Sequence, residues 1–213
     1  MKTITKLMAI AAIVLPMLSS CSGDGATSSK PSLFGQLPEE YVQFKAEKDA
    51  FKEKAKEIKT EADKAKLIKE SQAMEEKWTT RIEESAKALD GKPVAVADGE
   101  IKVTEPLSLT FDGFFSKSDI TPVFVVSGAA QAAVDITPES EFPRSSYQVY
   151  IVGYGPDGAE VFDNRIGTID AQEIDGKAVI SAGTPVKFER LQFSGKDAPD
   201  YPIAETLKLV VEE

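Results

Sequence analysis

Between Glu39 and Asp90 the chain runs for 52 residues without a glycine or a proline, and just past Gly91 its apolar residues change from a spacing of three and four to a spacing of two. These two facts divide the chain. The first stretch is rich in Ala, Glu and Lys, which are strong helix formers. Pro38-Glu39-Glu40 reads as a helix start, with proline in the first turn and acids at the positive end of the dipole. Asp90-Gly91, with Pro93 beyond, reads as the stop.

Along this stretch Phe44, Phe51, Ala55, Ile58, Ala62, Ala65 and Ile68 form a narrow seam. It breaks near Ser71 and Gln72 and resumes with Met74 or Trp78, then Ile82, Ala86 and Leu89. One continuous helix would be roughly 78 Å long at about 1.5 Å per residue. Two antiparallel helices, with a turn near Lys59–Lys64 or Ser71, would be half that. The lack of any Gly or Pro at a turn favours the single helix. Either shape needs a partner for its seam: a second copy in a coiled coil, or the flank of the following domain.

From residue 92 onward the period is two. Ile101 and Val103 alternate with polar residues, as do Leu107, Leu109 and Phe111, and later Leu207, Leu209 and Val211. Val123–Val126 is apolar on both faces and reads as an inner strand. The alternation at Val186 and Phe188 reappears in opposite phase at Leu191 and Phe193, which suggests a bulge at Glu189–Arg190. Turns are expected at Asp98-Gly99 as a tight hairpin, at Gly155–Gly158 and at Asp175-Gly176. The expected fold class is α+β: a long N-terminal helix or helical hairpin over 38–91, then an all-β domain over 92–213. That domain resembles an immunoglobulin-like sandwich in architecture, without that family's cysteine pair or buried Trp.

Charge is unevenly spread. Residues 91–213 hold 10 basic and 20 acidic side chains, most of the imbalance of a chain with formal net charge -10. An acidic domain repels phosphate backbones, which excludes nucleic-acid binding. There is no histidine, which removes the commonest general base, metal ligand and pH switch. Cys21 is the single cysteine, so no disulfide framework supports the fold.

That cysteine closes a distinctive N-terminal segment. Lys2 and Lys6 precede an uncharged run from Leu7 to Leu15, and Leu18-Ser19-Ser20-Cys21 follows. A basic start, a short apolar run and small residues at the end make a secretory signal over 1–20, too short to span a bilayer. Leu18-Ser19-Ser20-Cys21 resembles the lipobox of bacterial lipoproteins. The resemblance implies cleavage between Ser20 and Cys21, acyl chains such as palmitate on Cys21, and a membrane held through that lipid. Ser22 rather than Asp after the cysteine implies the outer membrane. Residues 21–37 read as a flexible tether rich in Gly, Ser and Thr.

No catalytic motif stands out, and no cofactor is expected. Glu139 with Glu141, Asp112 with Asp119, and Asp163 with Asp170 are carboxylate pairs of the kind a glycosidase needs, but such pairs arise by chance among 20 acids. Calcium would look for Asp157-Gly158-Ala159-Glu160, or Asp197 with Asp200, and neither matches an EF-hand loop. Ser127-Gly128 lacks the elbow sequence of a serine hydrolase and a histidine to activate it. Tyr150, Tyr154 and Phe162 are the candidate ligand-binding aromatics, a surface on which a sugar could stack. The expectation is a non-enzymatic interaction or structural lipoprotein, with a protein partner or self-association through the helical stretch 39–90. The alternatives are a carbohydrate- or peptide-binding accessory lipoprotein and a carboxylate-based hydrolase. The binding alternative predicts an exposed aromatic platform; the structural reading predicts an apolar strip left open on the helix.

Overall fold

The computed structural model describes residues 33–116, 120–139 and 143–212. The signal segment, the lipobox and Cys21 lie outside the described residues, as do Asp119 and Glu141.

The helical stretch is a hairpin. Helix α1 spans Leu37–Lys56 and α2 spans Glu61–Lys87. A single helix is therefore excluded, and the turn falls at Glu57–Thr60. The physical reason is local capping. Thr60 takes an extended conformation (φ -113°, ψ 149°) and its hydroxyl accepts from the Asp63 N–H at 3.1 Å. Such an N-cap is worth about 1 kcal/mol. Glu61 and Asp63 lie at the positive end of the α2 dipole, and Lys54 and Lys56 at the negative end of α1. The helices run antiparallel, zipped by Glu40–Arg81 (3.3 Å), Glu47–Lys77 (2.8 Å) and Lys54–Glu70 (2.7 Å). The Trp78 indole N–H also donates to Glu47, at 2.7 Å.

Among the described residues ten strands follow, with β1 at Pro93–Val94, β2 at Ile101–Ser116, β3 at Thr121–Ala132, β4 at Ser146–Tyr154 and β5 at Glu160–Asp170. The rest are β6 at Gln172–Ile174, β7 at Lys177–Val179, β8 at Val186–Phe188, β9 at Arg190–Gln192 and β10 at Thr206–Val211. One antiparallel sheet, A, has the order β1-β2-β3-β9; a second, B, has the order β10-β4-β5-β8; β6 and β7 form a separate ribbon. The fold class is α+β as expected. The inner faces of both sheets and the base of the hairpin share one core.

Two segments change sheets. After Glu189 the chain leaves β5, where Val186–Phe188 pairs with Gly167–Ile169, and joins β3, where Arg190 pairs with Val125 and Gln192 with Val123. The phase flip expected to be a bulge is this crossing. At the opposite edge β1 pairs with β2, and Ala97 then bridges in parallel to Lys208 of β10. Asp98-Gly99 is thus a bend within that crossing, not a tight hairpin: Pro93 pairs with Ser108, well away from Gly99. The other two expected turns are present. Gly158 (φ +77°) closes β4 to β5, and Asp175 (φ +53°) with Gly176 (φ +77°) closes β6 to β7 with the positive φ at both positions that a tight type I′ turn requires.

The hairpin docks by aromatic packing. Phe34 sits 4.8 Å from the Tyr201 ring, 5.1 Å from Phe193 and 5.5 Å from Phe124. Tyr41 of α1 meets Phe193 at 5.2 Å. Each such fully buried ring contributes about 1.5–3 kcal/mol by area. Leu33 and Phe34 are buried, so the tether expected over 21–37 ends before them. Gly195 is where the β body lets α1 in: a Cβ there would lie 2.3 Å from the Tyr41 ring.

Candidate functional site

The β4 strand presents two faces. Tyr147, Val149, Ile151 and Gly153 point inward, and Tyr150, Val152 and Tyr154 point outward on the open face of sheet B. Val210 of β10 lies beside Tyr150, and Asp163 of β5 lies beside Val152. With Glu160 and Glu212 they line a shallow groove of about 290 Å³. The Tyr150 hydroxyl donates to Gln148 Oε1 at 2.7 Å and sits 3.4 Å from Glu212 Oε2. Partial burial, then the Glu212 charge, pushes the Tyr150 phenol above its ordinary value. Burial and then Glu160 do the same at Tyr154, and Lys208 Nζ lies 5.5 Å from that ring.

Phe162 does not belong to this surface. It is 4% exposed and packs on Tyr201 with ring centroids 4.5 Å apart. A Cβ on Gly153 would lie 2.3 Å from its ring. It is a core residue because β5 pairs Phe162 with inward-facing Gly153. Of the three candidate aromatics the fold sets Tyr150 and Tyr154 on one face of β4, four residues apart, and turns Phe162 away.

The carboxylate pairs fare differently. Asp112 is ion-paired with Arg190 at 2.9 Å and Asp170 with Lys187 at 2.6 Å. Asp163 and Asp170 lie seven residues apart on β5, roughly 20 Å along a strand, beyond the separation two glycosidase carboxyls need. Glu139 is exposed between β3 and β4. Asp157 caps its own turn, accepting from the Ala159 N–H at 3.1 Å, and the Asp197 carbonyl accepts from the Asp200 N–H at 2.9 Å. Both segments are accounted for as turns. Among the described residues no group of three or more acids could hold a metal ion. Ser127 is exposed on β3, beside Gly128, where a Cβ would meet the Pro106 carbonyl at 2.5 Å.

Two features escaped the sequence, and a third was expected without its place. The crossing at Glu189 leaves a polar depression of about 540 Å³ beside β5 and β9, with Arg165, held by Glu189 at 2.9 Å, and Lys196 in its lining. Behind it the Tyr201 hydroxyl accepts from Asn164 Nδ2 at 3.0 Å and from the Ser194 N–H at 3.1 Å, a polar cluster in which Tyr201 and Asn164 are buried and Ser194 partly so. The third is on the hairpin. Its base is covered by the sheets through Tyr41, Phe44, Ile82 and Ala86. By helical periodicity the same face continues outward as Lys48, Lys52 and Ala55 on α1 and Ile68, Ser71 and Glu75 on α2. There, with Phe51, Leu67 and Met74, it forms an open groove of about 270 Å³, and Ile68 is 51% exposed. The repeating seam was the signal for this groove, but where the body stops covering it is a tertiary fact.

No family model, curated protein or solved structure matches the chain. Among the described residues no helix is long and apolar enough to cross a membrane.

Proposed function

We propose that the chain is a lipid-anchored lipoprotein of the bacterial envelope, held in the outer membrane through acyl chains on Cys21, with a non-catalytic interaction role. The observation that carries the anchor is Leu18-Ser19-Ser20-Cys21 behind a short basic and apolar leader. Two or more acyl chains make a firm anchor, since each buried CH₂ is worth about 0.8 kcal/mol. Twelve residue steps separate Cys21 from Leu33, so the body lies within about 40 Å of the lipid even at full extension.

The hairpin geometry supports an interaction role and changes what the helices do. Both ends of the hairpin, Leu37 and Lys87, are at the body. The helices therefore cannot act as a spacer between membrane and sheets; they form an arm that leaves the body and returns to it. The two-sheet body fits a sandwich with immunoglobulin-like layers, and in sheet B the last strand returns beside the first, in the order β10-β4-β5-β8, as in a Greek key. A non-catalytic role is supported by Asp112 and Asp170 being engaged by cations and by the lack of histidine.

The test is fractionation of cells expressing the wild type or Cys21→Ser, with protease added to intact cells. The wild type is expected in the outer-membrane fraction and Cys21→Ser outside it. Equal membrane association of the two would overturn the lipid anchor. Cleavage on intact cells would place the body on the outer surface, and protection would place it in the periplasm.

A further inference from the structure

We propose that the projecting half of the helical hairpin docks on the outer face of sheet B of a second copy of this chain. The proposal rests on the reading of the protein as a non-catalytic interaction module, and it is independent of lipid on Cys21.

Two helices alone cannot enclose a core. At the base the sheets supply the third wall; farther out, past Phe51 at the edge of the core, Leu67 and Ile68 have none, which is why Ile68 stays half exposed. The charge around this face is the reverse of the body's. Between Phe51 and Lys69 there are seven lysines against four carboxylates, in a chain whose formal net charge is -10. Lys48 and Lys52 border the groove against one carboxylate, Glu75, and Lys64, one turn before Ile68, shares its face.

The outer face of sheet B is the complement. Tyr150, Val152 and Val210 make an apolar floor, and Glu160, Asp163 and Glu212 border it. Of the two cations beside that floor, Arg165 next to Tyr150 is held by Glu189 and Lys208 lies next to Val152, so the border is acidic on balance. Val152 is 4% exposed yet stands outside the main core, so this side of the sheet already behaves as a packed surface with no layer over it. The dimensions agree. Three strands, β10, β4 and β5, carry that surface, and with neighbours about 4.8 Å apart the outer two are about 10 Å apart, as two packed helices are at about 8–10 Å. A helical layer on a sheet is the usual way such a face is covered, and lysines near Tyr150 and Tyr154 gain cation–π attraction.

Pairing of two hairpins face to face has no such match. With the tips together, the bodies that cover the same face at the base would overlap. With the tips opposed, Lys48 and Lys52 would confront their own copies. Docking hairpin to sheet is heterologous, so it builds a ring or an open chain of copies.

The experiment uses the polypeptide beginning at Ser22, which lacks lipid but keeps every core residue, all of which lie between Leu33 and Val211. Sedimentation is followed over rising protein concentration at low and high salt. The wild type is expected to associate at low salt and to dissociate at high salt. Glu160→Lys/Asp163→Lys/Glu212→Lys and Lys48→Glu/Lys52→Glu/Lys64→Glu should each weaken association at least tenfold. An equimolar mixture of the two should recover it, because each variant then meets a partner of opposite charge; recovery also shows that both are folded. A wild type that stays monomeric throughout, a variant that associates like the wild type, or a mixture of folded variants that stays monomeric overturns the proposal. None of these results bears on the anchor, which fractionation of the lipidated chain reads separately.

Discussion

Replacing Tyr201 by phenylalanine removes one oxygen from the centre of the molecule and leaves the ring in place. Its contacts with Phe162 (4.5 Å), Phe34 (4.8 Å) and Phe193 (5.3 Å) persist, so no cavity opens. The hydroxyl's hydrogen bonds are lost: those it accepts from Asn164 Nδ2 and the Ser194 N–H and the one it donates to Asn164 Oδ1, and Asn164, 6% exposed, loses its buried partner. A net hydrogen bond contributes about 0.5–1.5 kcal/mol, and a stranded buried group adds to the loss, so Tyr201→Phe is expected to cost about 2–3 kcal/mol near neutral pH. For a body of this size that lowers Tm by roughly 5–10 °C. The cost should depend on pH. Burial raises the folded-state pKa of Tyr201 above its ordinary value near 10. The protonated phenol therefore contributes stability that is fully present below pH ~10 and is lost as pH climbs above it, at about 1.4 kcal/mol per unit. The variant, with no phenol to ionise, carries no such loss, so the gap between the two proteins should narrow by about 1–2 kcal/mol between pH ~10 and ~11.5. Urea unfolding followed by circular dichroism measures both numbers. A variant as stable as the wild type at pH 7, or a gap that stays constant into alkali, would refute the buried Tyr201–Asn164–Ser194 cluster.

Thr60→Ala removes the cap that starts α2 and should cost about 1 kcal/mol, seen as faster amide exchange at the hairpin tip with the sheets unchanged. Glu47 accepts from Lys77 and from the Trp78 indole, and the Lys77 hydrogen bond, with smaller help from Trp78 and the nearby cations, holds its pKa below the usual carboxylate range. Its contribution is present above pH ~4.5 and lost as the pH falls through the lowered folded-state value. Trp78, the single tryptophan, should report the change in its fluorescence, and Glu47→Gln should flatten that acid titration; an unchanged titration in the variant would refute the contact. Gly195→Ala forces a methyl onto the Tyr41 ring and should destabilise by about 1–3 kcal/mol, a loss that Tyr41→Ala in the same chain should partly relieve; equal stability of Gly195→Ala and wild type would mean that α1 does not approach the β body there.

How much of this was legible depended on whether the signal was local. Strands β2, β4 and β10 each bury one face, and alternation in the sequence reports that directly. The hairpin turn was obscured because Glu57–Thr60 holds neither Gly nor Pro. Its signal was Thr60-Glu61-Ala62-Asp63, a hydroxyl residue three before an acid, which is the start of a helix rather than the interior of one. The flip at Glu189 was visible as a change of phase, but one strand changing sheets and one strand bulging give the same pattern. Phe162 was misplaced among the surface aromatics for a related reason: which face it takes depends on pairing with Gly153, a contact that composition does not encode. Tyr201 gave no warning at all, because a tyrosine beside Pro202 reads as loop until Phe34 and Phe193 close over it.

The charge asymmetry of the chain becomes meaningful only once the hairpin returns to the body. In a single rod of roughly 78 Å the lysines of residues 45–69 would be spread along a spacer and would face water wherever it pointed. Folded at Glu57–Thr60, they gather on an arm whose base is fixed by Phe44, Trp78 and Ile82. Each lysine that is ion-paired within the hairpin, as Lys54 is with Glu70, contributes little to stability at such exposure, so conformational stability does not account for the excess. What a local excess of cations on an otherwise acidic protein does provide is orientation. It steers an acidic surface toward the part of the arm where Ile68 lacks cover. A surface that repels its like and attracts its complement is specific without being strong, and confinement of anchored copies to one membrane would raise their effective concentration enough for weak contacts to matter.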